Sequence, residues 1–525
     1  MHLLRLTLAF SLATSAIAQS SPSDIRAYIH QSFDTLTRST ADCASIADSK
    51  LTTAPILYLP SDEKMSPAIR SLQQNCKVDV RRLPRPIRHE GDLLPDQLTA
   101  QGLLYLPNPY VVPGGRFNEM YGWDSYFILL GEIADNRVEL ARGTVENFFY
   151  EIDNYGGVLN ANRTYYLTRS QPPFLSSMVL AVYEALLKQD PKAARSFLHK
   201  SVSYLIRTHD LWISPSHLAG DTKLSRYFDL GQGPVPEMAD DSTYYVDVIH
   251  YLLAHPTPLN DVYLTKATGS SNCVSNCLQT SANGYQLTPS FFAGDRAMRE
   301  SGFDTSFRFG PFSGSTEDFA PFCLNALLYK YERDLAFIFA TLDDKDSALQ
   351  WSEIAGSRLA KINELQWDNE LGLFVDYDYV TKQRFSYPYL TTYYALWSGM
   401  ATPAQAQRLH TNLKLFEGPG GLAMSTSHTG MQWDAPYGWA PTNWLAVAGL
   451  ERYKFHDDAL RISREFTTTV ASNYAHDGTI REKYNVESAD ANVQVSAGYK
   501  ANVIGFGWTN AVYLKMQQLL TQPQP

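Results

Sequence analysis

Residues 113–126 read Pro113-Gly114-Gly115-Arg116-Phe117-Asn118-Glu119-Met120-Tyr121-Gly122-Trp123-Asp124-Ser125-Tyr126. A turn-making Pro-Gly-Gly, a guanidinium (Arg116), two carboxylates (Glu119, Asp124) and four aromatic rings share this short span. Glycine lets a backbone approach a ligand closely because it lacks a Cβ and tolerates positive φ. Arginine and aspartate add fixed donors and acceptors, and the rings add flat apolar faces. The mixture suits a neutral polyhydroxylated ligand, whose hydroxyls ring its edge and whose C–H groups face outward. A Gly turn followed by a core helix, with Arg116 and Asp124 as a structural ion pair, fits the same residues.

Outward from this stretch the chain changes character. Upstream, residues 50–110 are rich in proline and read as an extended covering arm, preceded by an amphipathic helix from Ser23 to about Thr37 with Ile25, Tyr28, Ile29 and Phe33 on one side. Downstream, helical periodicity recurs. Leu324, Leu327, Leu328 and Tyr331 show the three-to-four spacing of a buried helical face. Helices are expected at 125–133, 136–150, 173–189, 191–208, 241–254, 322–341, 345–366, 389–399, 402–415, 440–453, 457–474 and 510–520, with strand-like alternation confined to short runs such as Leu373–Tyr379. Helices in pairs with long loops predict an all-α closed toroid of helical hairpins, and no fixed-period repeat points to a solenoid. Residues 255–298 lack helical period and read as an insertion.

Composition narrows the function classes. The 525 residues are 44% hydrophobic and 13% aromatic, which predicts a large packed core. A net charge of −10 with no basic stripe excludes nucleic acid as a partner. Residues 1–18 resemble an export signal: Arg5, an apolar run from Leu6 to Ala13, then Ala16-Ile17-Ala18. That pattern predicts a secreted protein, extracellular or periplasmic, without a membrane anchor, because no other stretch is long and apolar enough to span a bilayer. Proximity along the chain suggests Cys43–Cys76 and Cys273–Cys277 bridges, leaving Cys323 buried and free. The cysteines have no neighbouring histidine to complete a zinc site. Nothing in the sequence fixes the oligomeric state.

Two further segments repeat the opening recipe. Gln432-Trp433-Asp434-Ala435-Pro436-Tyr437-Gly438-Trp439-Ala440-Pro441 combines an amide, a carboxylate and three rings, and the span from Asn160 to Pro173 adds Arg163, Arg169, Ser170 and Gln171 after a Gly156-Gly157 turn. Together with residues 113–126 these segments resemble the signature stretches of the trehalases, family 37 of the glycoside hydrolases. The resemblance runs from about residue 24 to the C-terminus. It implies an (α/α)6 toroid, with residues 111–525 as the catalytic domain and 19–110 as helix and arm. It also implies inverting hydrolysis of α,α-trehalose to two glucoses, with no cofactor and no metal.

Inverting hydrolysis needs one protonated carboxyl and one ionised carboxylate on opposite sides of the bond. Arg299 to Arg308 resembles the family's acid segment and places Asp304 as the acid, with Phe303, Phe307 and Phe309 near enough in sequence to desolvate it. Arg481 to Asn485 resembles the base segment and places Glu482 as the base. Taken alone, either carboxylate fits a surface salt bridge better than a catalytic role. The resemblance assigns sugar contacts to Arg116, Trp123, Asp124, Asn160, Arg169, Ser170, Gln171, Glu237 and Gly302, and Trp433 joins them as a chamber wall.

The chain departs from the family pattern at several positions. Val235 stands where an Arg-Pro-Glu segment has arginine, Phe303 replaces the usual Trp, and Tyr437 replaces Asn. Tyr499 stands about where a pocket Glu is expected, and Val503-Ile504 replace Gln-Asp. Arg296, Arg299 and Arg308 are candidates to supply the missing guanidinium. Two alternatives follow: a related α-glucoside hydrolase with altered specificity, and a silent sugar-binding protein on the same scaffold. Asn162-Arg163-Thr164 is a glycosylation sequon inside an expected pocket segment, and is expected to be unmodified.

Overall fold

The computed structural model describes residues 22–40, 42–48, 55–240, 243–267, 279–497 and 501–522. In chain order its helices are α1 (Pro22–Leu36), α2 (Pro67–Cys76), α3 (Asp124–Ala134), α4 (Val138–Asn154), α5 (Leu175–Leu187), α6 (Pro191–Trp212), α7 (Tyr244–Ala254), α8 (Asn260–Tyr263), α9 (Pro289–Glu300), α10 (Phe322–Thr341), α11 (Lys345–Leu365), α12 (Tyr394–Ser398), α13 (Pro403–Asn412), α14 (Ala440–Arg452), α15 (His456–Asp477) and α16 (Gly507–Thr521). Several starts follow directly from sequence. Asp190, Thr288 and Thr402 each accept backbone N–H bonds from the first turn they cap, with proline as the next residue. This arrangement satisfies orphan donors and presets φ.

Six helices form a closed inner ring, each packed on the next: α3, α5, α10, α12, α14, α16 and back to α3. Most of α3 and α5 is buried, as in Asp124 to Leu129 and Leu175 to Val179. A helix apolar on every side belongs inside another layer. The outer layer is α4, α6, α11, α13 and α15, and its helices carry one apolar stripe each. The sixth outer position belongs to α1, which packs on α16 and α15. Its Phe33 is fully buried, and Gly131 on α3 leaves room for both the Phe33 ring and Ala511 of α16. The fold is the expected (α/α)6 toroid.

Helix 244–254 forms, but outside the ring. Tyr244, Tyr245, Val248, Ile249 and Leu252 share a second core with Val235, Phe291, Phe292 and Phe312. Periodicity reports that a face is buried, not what it is buried against. The segment expected to be irregular also has structure: an antiparallel sheet of Leu264–Lys266, Tyr285–Leu287 and Ser281–Ala282, then α9. In α9 buried Asp295, Arg296, Arg299 and Glu300 are interspersed with buried Phe291, Phe292, Ala297 and Met298, so charged residues break up the apolar pattern of a core-facing helix.

Residues 55–111 are more than an extended arm. Ile56–Leu59 pairs in parallel with Asp79–Arg82 and with Leu103–Leu104, and α2 packs with Ile46, Leu57, Leu59, Val78 and Leu103 in a small core of its own. Cys43 and Cys76 are disulfide-bonded, and Cys323 is buried and free. Cys273 and Cys277 lie outside the described residues. No helix among the described residues is long and apolar enough to cross a membrane.

Candidate active site

The toroid carries a chamber that opens to solvent, and every signature segment quoted from the sequence reaches it. Residues 113–115 lie against the C-terminal segment. A Cβ on Gly114 would meet the Gly505 carbonyl oxygen at 2.6 Å, and one on Gly115 would meet Val503 Cγ1 at 1.9 Å. Both glycines have positive φ, so any side chain there strains the backbone as well. Trp123 precedes α3, and its backbone N–H donates to Gln171 Oε1 at 2.9 Å, joining the first segment to the third. The Trp123 ring meets Phe303, Trp433 and Trp508 at centroid separations of 5.5–5.8 Å, and Trp433 stacks on Trp439 at 3.8 Å. These rings form a rigid apolar wall.

Arg116, Trp123, Asp124, Asn160, Arg169, Gln171, Glu237, Gly302, Asp304, Trp433 and Glu482 all line this chamber. Ser170 does not. Its hydroxyl donates to the Val158 carbonyl at 2.6 Å and its N–H donates to Glu300 Oε1 at 3.1 Å, so it holds the turn that presents Arg169 and Gln171. Asn160 donates to the carbonyls of Ser170 and Arg299, tying that turn to α9. Arg169 pairs with Glu237 and lies 3.5 Å from Asp229. Burial pushes the Glu237 carboxyl up, but Arg169 and Arg299 outweigh it and hold the group below the ordinary glutamate value.

The two candidate catalytic carboxyls sit in contrasting surroundings. Asp304 follows the end of α9 and the turn at Gly302, where φ is +75° and a Cβ would press on the Trp123 indole at 2.9 Å. Its side chain is 34% exposed, open to the chamber. Desolvation pushes its pKa up to about 6, against the opposing pull of Arg299 and Arg169. The loop is held from the far side: Trp433 N–H donates to the Thr305 carbonyl at 3.1 Å, Gln432 donates to the Asp304 carbonyl, and Asp434 accepts from Phe307 N–H at 2.8 Å. Glu482 is 1% exposed and receives Lys483 Nζ at 2.6 Å on Oε2. Its backbone carbonyl accepts from Trp508 Nε1 at 3.2 Å and Thr509 Oγ1 at 3.3 Å, and its N–H donates to the Val503 carbonyl. Asp124 is pushed well above the ordinary range, first by burial and then by the charges of Glu482 and Asp304, which places it within electrostatic reach of both.

Of the three arginines considered as replacements at Val235, only Arg299 lines the chamber. It binds Asp295 through Nε at 3.1 Å, and its Nη1 lies 3.6 Å from Asp304 Oδ2. Arg296 is committed to Asp229 and Arg308 to both oxygens of Asp376. Val235 is fully buried in the second core. Tyr437 donates to the Gln494 carbonyl and is not part of the wall, and Tyr499 lies outside the described residues. Asn162 is fully buried, its amide donating to the Leu104 carbonyl and its oxygen accepting from Met120 N–H. The wall also includes Phe117, Tyr121, Tyr166, Trp439, Phe506, Trp508 and Met238. The rings were visible in the quoted segments or beside them, whereas Met238 carried no signal.

The fold and the site together define an (α/α)6 toroid whose loops enclose an aromatic chamber with four carboxyls, Asp124, Glu237, Asp304 and Glu482, on its wall. The chain belongs to the trehalase family, whose sequence profile matches residues 5–521. It is 37% identical over 453 residues to a cytosolic neutral trehalase of Beauveria bassiana, covering 78% of this chain and 58% of that protein. It is 38% identical over 439 residues to a cytosolic neutral trehalase of Saccharomyces cerevisiae, covering 77% of this chain and 56% of that protein. The chain thus spans somewhat over half the length of these relatives. Among solved structures, a neutral trehalase from Saccharomyces cerevisiae superposes with a TM-score of 0.77 at 33% identity, covering 95% of this chain and 94% of that one.

These comparisons correct the expectation of secretion. Relatives from Beauveria, Saccharomyces, Emericella, Neurospora, Kluyveromyces and Pyricularia are described as cytosolic. The export signal was inferred from a short apolar run and an Ala-Ile-Ala triplet, features of local composition alone. Those residues lie outside the described part of the chain.

Proposed function

We propose that the protein hydrolyses α,α-trehalose to two glucoses with inversion, Asp304 acting as general acid and Glu482 as general base. The observation that carries this proposal is the pairing of environments in one chamber. Asp304 is desolvated, and its carboxyl retains a proton to about pH 6. Glu482 is seated on the Lys483 ammonium. Asp304 protonates the bridging oxygen as the C–O bond breaks. Glu482 removes a proton from the water that attacks the anomeric carbon on the opposite face. Each transfer contributes roughly 10²–10⁴ in rate.

In this reading Arg116, Arg169, Arg299, Asp124, Asn160, Gln171 and Glu237 bind sugar hydroxyls, while Trp123 and Trp433 cover the C–H faces. Gly302 leaves the Trp123 indole in place, and Ser170 positions its neighbours. Arg299 supplies the guanidinium that Val235 lacks, which supports trehalose over another α-glucoside. Following the anomers released from trehalose by NMR tests substrate and stereochemistry together. One β-glucose and one α-glucose per turnover are expected. Release of α-glucose alone, or turnover of maltose in place of trehalose, would overturn the assignment.

A further inference from the structure

Behind the chamber, three buried side chains from distant parts of the chain converge. Glu90 comes from the loop before the first signature stretch, His217 from the turn after α6, and Glu300 is the last residue of α9. One ligand-competent atom of each lies within 4.8 Å of the others. Glu90 is 9% exposed and the other two are fully buried. We propose that Glu90, His217 and Glu300 bind a divalent transition-metal ion of the zinc type, in a structural site that pins the acid-bearing end of α9.

Three independent features point to a missing positive charge between these groups. First, both oxygens of Glu90 are buried without any hydrogen-bond partner. A buried carboxylate left in that state is strongly penalised, and buried charges are normally paired or coordinate metals. Second, one pair is already at ligand spacing: His217 Nε2 lies 3.4 Å from Glu300 Oε1, where ligands about 2.0–2.2 Å from a tetrahedral ion are roughly 3.3–3.6 Å apart, and Glu90 lies within 4.8 Å of both, so its side chain draws in when the ion binds.

Third, the outer partners are in place. His217 Nδ1 lies 3.3 Å from the hydroxyls of both Ser214 and Ser216, which can accept from Nδ1–H in the tautomer that turns the Nε2 lone pair to a metal ion. Glu300 accepts from Ser170 N–H on Oε1 and from Phe228 N–H at 2.6 Å on Oε2, which fixes its plane. When an ion binds and both carboxyls ionise, the two carboxylates and a neutral imidazole carry a charge of −2, which a divalent ion cancels. An imidazole among the ligands favours a transition ion over magnesium or calcium. Glu90 is followed by half-buried Gly91 and preceded by exposed His89, so the site lies one residue below the surface.

The location gives the ion something to do. Glu300 is two residues from Gly302 and four from Asp304, and it also holds Ser170, whose neighbours Arg169 and Gln171 line the chamber. An ion bridging these three elements fixes the acid loop against the sugar-binding turn without touching substrate.

The test uses the untagged full-length protein, stripped by dialysis against a chelator and then titrated with Zn²⁺ alone or Co²⁺ alone. Expected are one equivalent of Zn²⁺ retained through gel filtration, a rise in Tm on adding it, and visible absorption from the Co²⁺ form. Glu90→Gln and His217→Asn should each weaken binding at least about ten-fold. Absence of stoichiometric retention by the wild-type protein overturns the proposal, as does retention undiminished in both variants. A gain in Tm from Glu90→Gln, with no ion retained by the wild type, also overturns it and shows that a shared proton fills the gap. None of these readouts uses turnover, so the outcome is separate from that of the hydrolysis proposal.

Discussion

Asp304 and Arg299 form a pair whose balance can be read by pH. Burial lifts the Asp304 carboxyl to about 6 while Arg299, 3.6 Å away, pulls it down. An acid must enter the reaction protonated, so kcat/KM of the free enzyme should fall as pH rises through about 6. Replacing Arg299 by Met removes the downward pull, and the alkaline limb of that profile should move to higher pH while KM rises. A KM increase with an unmoved limb would refute the electrostatic role of Arg299. Asp304→Asn should lower kcat by about 10²–10⁴ with trehalose binding retained in calorimetry. The same substitution has a stability signature. A carboxyl raised in the folded state stabilises the fold at low pH and loses that contribution as pH climbs past its folded pKa. Asp304→Asn should therefore raise Tm relative to wild type at pH 8 and leave it unchanged at pH 4.

Helix α9 shows what a sequence does and does not disclose about an element. Its start was written plainly as Thr288-Pro289, a cap followed by a residue preset for the first turn. The span was nonetheless expected to be irregular, because buried Asp295, Arg296, Arg299 and Glu300 interrupt the apolar pattern of buried Phe291, Phe292, Ala297 and Met298. Apolar periodicity located the ring helices because their burial is against hydrocarbon, and it failed where burial is against charge. The chamber was legible for a different reason: its residues fall in dense clusters of Gly, Trp, Arg and Asp in which each side chain has a distinct task. Met238 was invisible because one thioether in a loop carries no pattern. Thr288→Ala removes the hydroxyl that accepts from Phe291 N–H at 3.3 Å, and should cost about 1 kcal/mol in denaturant unfolding. Because α9 carries Arg299 and leads into the Asp304 loop, kcat should fall as well. A stability loss with no change in rate would show that the loop holds its geometry independently of the helix start.

At the scale of the whole molecule, the inner ring is closed where α16 meets α3, with α1 packed outside that joint. Helix α1 occupies the outer position beside α16, and Phe33 fills the space that Gly131 leaves between α3 and Ala511. Phe33→Ala should destabilise the protein by about 3–5 kcal/mol, the usual cost of emptying a buried aromatic site. KM for trehalose should stay unchanged, since Phe33 is not on the chamber wall. Most ring and outer-layer helices could be located from sequence, whereas α2, α8 and α9 were not expected and the membership of the ring could not be read. Residues 244–254 looked like a ring helix and belong to the second core, while the sixth outer place went to an N-terminal helix whose apolar stripe gave no hint of its partner. The seam where Gly114 and Gly115 press on Val503 and Gly505 has a consequence for assembly. The chamber wall is stitched from Arg116 to Asp124 on one side of this seam and from Phe506 and Trp508 on the other. The cavity therefore takes shape only when stretches far apart along the chain meet, and a fragment lacking either stretch lacks one side of the wall.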